Sequence, residues 1–243
     1  MTGMKQIGEI IKRKAIGVII WLVRFRHRKG YGVHSPFAFG YITRTIYAPL
    51  PSDVKRKLQE LRKEKHGITL PKPRDYTSKA TGLGEGIHCV AESMLPPKRM
   101  ESGRLRTLIY NMVYRTKPES IIIAGSTTDY TLLYIEQAQP DGHISFIGSG
   151  KDLHLQTTGS VGFAYINAAD DTEFVRDAFD SIARRATQQT ALLINGINAS
   201  KEMKRLWKEM VGDERSGITF DLYEAGIVLF DKKITKQDYI VNF

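Results

Sequence analysis

Apolar positions recur along this chain with two different periods, and the alternation between them sets out its architecture. Ile121 to Ala124, with three β-branched residues in succession, and Ile144 to Ile147, Val161 to Ile166 and Ala191 to Ile194 are short apolar runs that read as buried strands. Helical spacing fills the intervals. Tyr130 to Gln137 is one helix, Thr172 to Ala186 with Phe174, Val175, Ala178, Phe179 and Ile182 inward is another, and Met203, Leu206, Trp207, Met210 and Val211 mark a third. Leu105, Leu108, Ile109, Met112 and Val113 give a core-facing helix before the first strand, stopped by Lys117-Pro118. The tail has strand signals without a helix: Ile218 to Tyr223, a turn at Glu224-Ala225-Gly226, Ile227 to Phe230, and Asp238 to Phe243. Strand-helix repeats followed by such a tail predict an α/β sheet, parallel in its middle and closed by a C-terminal antiparallel hairpin.

The front of the chain is different. Ile7 to Phe25 reads as a helix with Ile7, Ile10, Ile11, Ala15, Val18, Ile19 and Leu22 on one face and Lys or Arg at both ends. Two glycines, Gly30 and Gly32, precede His34-Ser35-Pro36-Phe37, where Ser35 caps and Pro36 opens a helix expected to run through Tyr47. His34 either fastens this turn or serves a ligand. Ser52 to His66 is a second helix, with Val54, Leu58 and Leu61 inward and a basic outer face. Between Gly67 and Gly103 the periodicity fades among prolines and glycines, which predicts a long loop with one short helix around Ile87 to Met94. The division that follows is a basic helical extension with its loop over 1–103, and an α/β domain over 104–243.

Composition narrows the setting. A single cysteine, Cys89, excludes an internal disulfide and fits a reducing, cytoplasmic compartment. The longest apolar run, Ala15 to Val23, falls well short of the about 20 residues needed to span a bilayer, and no signal peptide is read. The net charge of +10 is segregated: residues 1–117 carry 24 Lys and Arg against 8 Asp and Glu, and residues 118–243 carry 12 against 18. Such a front half fits an anionic partner. An anionic membrane surface met through residues 1–66, on the inner face of the membrane, is the expectation. Nucleic acid is disfavoured, because the basic helix face lacks interleaved aromatic residues.

The stretch Ile121-Ile122-Ile123-Ala124-Gly125-Ser126-Thr127-Thr128-Asp129 carries the candidate chemistry. A buried strand, a tight turn and three successive capping residues place backbone N–H groups and a helix N-terminus beyond the strand's carboxyl end, where open α/β sheets bind nucleotides. Asp129 is expected to serve as a helix cap or first-turn acid. Other motifs are missing: Gly150-Lys151 lacks the flanking residues of a phosphate-binding loop, and neither a metalloprotease histidine pair nor a Gly-x-Ser-x-Gly elbow occurs. His88-Cys89 has no partner at metal-ligand spacing, so no metal site is expected. Asp170-Asp171 reads as a helix start or an acid pair.

With these residues in view, the chain resembles the class I S-adenosylmethionine-dependent methyltransferases, and more narrowly a bacterial branch with a basic N-terminal helix and a His-Ser-Pro-Phe segment. His34 to Phe37, Pro97-Lys98, Gly103, Ile197, Ser200-Lys201-Glu202-Met203, Asp221-Leu222 and Tyr239 to Phe243 carry the resemblance. It implies a Rossmann-like methyltransferase sheet, S-adenosylmethionine as cofactor, and Gly125, Ser126, Thr127, Gly148 and Asn167 around it. Gly125, Ser126 and Thr127 would lie nearest the methionine part and Gly148 near the ribose, with Asn167 and Asn195 toward an unidentified methyl acceptor. The departures from the pattern point one way. Ile123 stands where the family has an acid, Gly148 replaces the ribose-binding acid, and Asn167 and Asn195 replace aspartates. A charged hydrogen bond contributes about 1.5–3 kcal/mol, so two such losses cost roughly a hundredfold or more in affinity. Two readings stay open: a methyltransferase with a degenerate cofactor site, or a non-catalytic membrane-surface or scaffold protein on the same fold.

Overall fold

The computed structural model describes residues 19, 22–66, 101–148, 159–168 and 170–243. The expected helix over Ile7 to Phe25 lies mostly outside them, and the 67–100 segment with His88-Cys89, the Gly150-Lys151 pair and Pro97-Lys98 lie wholly outside.

Seven strands form one sheet: β1 (Ser120–Gly125), β2 (His143–Ile147), β3 (Val161–Asn167), β4 (Ala186–Asn195), β5 (Ile218–Asp221), β6 (Ala225–Leu229) and β7 (Gln237–Ile240). Their order is β2-β1-β3-β4-β6-β5-β7. β2, β1, β3 and β4 are mutually parallel. The hairpin β5–β6 is antiparallel, and β6 also pairs antiparallel with β4. The sheet is therefore Rossmann-like, parallel in its middle with antiparallel pairing from the C-terminal hairpin. The last strand adds a detail that periodicity did not give: β7 joins β5 in parallel at the sheet edge. β4 is also longer than its apolar run, because Ala186 already pairs with Val161 before the register shifts.

Strand alternation divides the core. Ile121 and Ile123, with Phe163 and Tyr165, face a layer made by α3 (Gly103–Thr116) and α4 (Asp129–Ala138). Ile122 and Ala124, with Ala164 and Ile166, face α5 (Thr172–Arg184) and α6 (Lys201–Gly212). Each of these helices starts on the residue type that hydrogen-bonding demands. Ser102, Thr128, Asp171 and Ser200 accept from backbone N–H groups of the first turns. Asp171 is thus a helix cap, and Asp129 a first-turn acid one residue beyond the Thr128 cap.

The extension packs on the α3–α4 face. α1 (Pro36–Tyr41) is capped by Ser35 and continues as a wider π-turn, Ile42–Ile46, with Tyr47 N–H donating to the Ile42 carbonyl. Ala38, Ile42 and Ile46 are fully or nearly fully buried in the same core as α3. Buried Asn111 donates to the carbonyls of Thr45 and Ala48, at 3.0 and 2.9 Å, and holds the chain after the π-turn against α3. Tyr41 stacks on Phe220, which stacks on Tyr239, so the extension is also fixed to β5 and β7. α2 (Ser52–His66) buries Leu58 and leaves Lys55, Arg56, Lys57 and Arg62 exposed.

Candidate functional site

The strand order reverses at β1, whose two neighbours β2 and β3 follow it in sequence on opposite sides. The crevice beyond the carboxyl ends of β1 and β3 is consequently the place for a ligand in this fold. Gly125 ends β1 there with φ +86°, and a Cβ on it would lie 2.6 Å from the Asn167 carbonyl oxygen. Only glycine satisfies both the left-handed backbone and this approach. The contact lets Ser126 donate its N–H to the Asn167 carbonyl at 3.0 Å and its hydroxyl to the same oxygen at 3.2 Å. The Asn167 amide returns a bond to the Ser126 carbonyl at 2.8 Å. The ends of β1 and β3 are stitched together by these three bonds.

Into this crevice comes a carboxylate that sequence reasoning did not single out. Glu101, only 3% exposed, precedes the Ser102 cap of α3, and its own carbonyl accepts from Arg106 at 2.7 Å. Its carboxylate accepts from the Thr128 hydroxyl at 2.8 Å, the Tyr165 hydroxyl at 2.8 Å and the Thr131 hydroxyl. Longer contacts come from the Asn167 amide at 3.4 Å and Thr127 at 3.5 Å. Thr128 is the cap of α4 and Thr131 lies in its first turn, so the acid sits at the N-terminus of that helix, where its partial positive charge favours an anion. Burial, and then the neighbouring Glu101 charge, push the Tyr165 hydroxyl well above its ordinary pKa. Tyr165 is therefore a neutral donor rather than a base.

Asn195, at the end of β4, donates to the Asn167 side-chain oxygen at 3.0 Å. Asn167 thus spends its side chain on Glu101, Ser126 and Asn195, and both asparagines are buried. The structure brings Gly125, Ser126, Thr127 and Asn167 together. Gly148 stands exposed just beyond β2, whose Ile147 pairs with Ala124, and so lies level with Gly125. His34 is exposed, one residue before the α1 cap. Among the described residues no group of His, Cys, Asp and Glu gathers as a metal ion would require. A separate groove of about 300 Å³ between α6 and the β5–β7 edge is lined by Trp207, Lys204, Lys208, Asp221 and Asp238, and holds none of these crevice residues.

Glu101, Thr131 and Tyr165 are the site residues that sequence reasoning missed. The available signal was positional. Glu101 immediately precedes a Ser-Gly helix start, and Tyr165 shares the inward parity of Phe163 on the strand ending at Asn167.

No protein-family model matches this chain, and no curated protein matches it. Solved structures do. It is similar to the O-methyltransferase TomG from Streptomyces achromogenes in complex with SAM, at 9% identity over 72% of this chain and 97% of that one, TM-score 0.44. It is similar to the SAH-bound Podospora anserina methyltransferase PaMTH1, at 11% identity over 75% and 97% of the two chains, TM-score 0.44. A third is cofactor-bound Rv0187 from MTB, at 13% identity over 76% and 99%, TM-score 0.46.

Proposed function

We propose that this chain is a methyltransferase-type protein, of the bacterial branch with the His34-Ser35-Pro36-Phe37 segment, whose S-adenosylmethionine crevice is occupied by its own Glu101 and binds the cofactor weakly. The observation that carries this reading is the placement of the Glu101 carboxylate at the N-terminus of α4, on the hydroxyls of Thr128 and Thr131. An adenosyl cofactor would bring its own carboxylate to this end of the sheet. Two carboxylates cannot share one helix N-terminus without repulsion or the uptake of a proton. The residues present also fit a ribose poorly, since Gly148 offers no acceptor side chain and Asn167 is committed to protein partners. The chain is thus weak or inactive in methyl transfer, and no catalytic residue is assigned.

Isothermal calorimetry with S-adenosylmethionine and S-adenosylhomocysteine tests this. Dissociation constants weaker than about 100 μM, equivalent to binding no stronger than about −5.5 kcal/mol, are expected. Low-micromolar binding by the unaltered chain would overturn the reading. The non-catalytic alternative, a membrane-surface protein on this fold, draws on a different observation: apolar side chains left exposed in residues 19–39.

A further inference from the structure

Among the described residues, most of the large apolar side chains left at the surface fall within 19–39. Leu22 is 59% exposed, Val23 76% and Tyr31 78%, with Ile19, Phe37 and Phe39 also exposed. They lie on two short helical pieces, the 3₁₀ turn Phe25–Gly30 with the residues before it, and α1, with Tyr31 in the turn between them. The two pieces touch, because a Cβ on Gly30 would come within 2.9 Å of the Phe39 ring.

This surface is held in place. Arg24 turns inward, donating to the Asp221 carboxylate at 2.9 Å and to the Asp221 carbonyl at 3.1 Å, and lies 5.2 Å from the centre of the Tyr223 ring. The His27 carbonyl accepts from Asn242 N–H at 3.1 Å. Anchoring the chain through Arg24 and His27 fixes the adjacent Leu22 and Val23 in their outward positions. Exposed apolar groups on a rigid base carry a hydration cost that an occupant would remove.

Charge selects the occupant. Residues 1–66 carry 15 Lys and Arg against 4 Asp and Glu, and Arg26, Arg44, Lys55 and Arg56 are exposed beside or after the apolar segment. Apolar side chains that enter hydrocarbon, an aromatic hydroxyl suited to the interface, and a strongly basic flanking sequence are together the complement of an anionic lipid leaflet. We propose that residues 19–39 dock this protein on an anionic membrane surface, with Leu22, Val23 and Phe37 inserting and the basic side chains meeting the headgroups. The inference does not depend on what the crevice binds.

Co-sedimentation of the full chain with vesicles tests it. The chain should pellet with vesicles containing about one third phosphatidylglycerol and stay largely in the supernatant with pure phosphatidylcholine, because neither signal suffices alone. The double variant Leu22→Glu, Val23→Glu should lose about tenfold or more in partitioning. Its circular dichroism and melting curve should match the parent, since both side chains are exposed. Phe37→Ser should show a smaller loss. Failure of the full chain to pellet with anionic vesicles would overturn the proposal, as would undiminished binding by the double variant. A dimer in analytical ultracentrifugation that the double variant abolishes, without vesicle binding, would assign the surface to a second copy instead and overturn it equally.

Discussion

The crevice at the end of β1 and the surface at residues 19–39 solve opposite problems. In the crevice, polar groups that the fold would offer to a ligand are spent on one another: Glu101 takes the hydroxyls of Thr128, Thr131 and Tyr165, and Asn167 is divided among three partners. At 19–39, apolar groups that a core would bury are left unspent while Arg24 turns inward to Asp221. A region that satisfies itself gains stability and loses affinity for ligands. A region that leaves its apolar surface open gives up stability and keeps the capacity to bind. Under the two proposals above, this chain would meet its surroundings at its front rather than at the crevice.

The sharpest way to break the comparison is to remove the acid that fills the crevice. Glu101→Ala strands the donors of Thr128, Thr131 and Tyr165 in a buried site, and should cost about 3–4 kcal/mol of stability. For a chain of this size that is a fall in melting temperature on the order of 10 °C by calorimetry. Gly125→Ala forces a Cβ to 2.6 Å from the Asn167 carbonyl at φ +86°, and should cost about 2–3 kcal/mol in urea unfolding. On the front side, Arg24→Ala removes a half-buried ion pair and its bond to the Asp221 carbonyl, for about 1–2 kcal/mol, and should speed proteolytic cleavage near residue 24.

The smallest expected effect involves neither region and so calibrates the others. Hydrogen bonds from Arg215, opposed in part by burial, hold the Asp213 carboxyl below the usual carboxylate range. A depressed folded-state pKa stabilises above the unfolded value, about 3.9, and that contribution is lost as pH falls through the folded value. Asp213→Asn should therefore cost about 0.5 kcal/mol at neutral pH after allowance for solvent screening, and flatten the acid limb of the stability profile below about pH 4. A variant without that flattening would place the acid sensitivity elsewhere in the chain.

The sheet was legible because its strands carry short apolar runs bounded by turn residues, and because Ser102, Thr128, Asp171 and Ser200 announce their helices by type and position. Three structural features were less visible for physical reasons. β7 adds in parallel because the chain after β6 crosses to the far side of β5, a path that periodicity does not encode. The crevice was half legible. Gly125, Ser126 and Asn167 follow from the strand ends, but Glu101 reaches Tyr165 across 64 positions of sequence, and nothing local marks it as part of the site. The front extension showed its charge and apolar spacing in sequence, whereas the Arg24–Asp221 anchor that orients it, spanning 197 positions, did not.

A paired titration of the unaltered chain and Glu101→Gln with S-adenosylhomocysteine tests the central claim most directly. Glutamine keeps the shape and an acceptor for the threonine hydroxyls while removing the charge from the N-terminus of α4. A self-occupied crevice predicts weak binding by the parent and affinity about tenfold tighter in the variant, a gain of about 1.4 kcal/mol from relieved carboxylate repulsion. Tight binding by the parent, weakened by the same substitution, would show that Glu101 grips the ligand instead of replacing it, and would contradict the account.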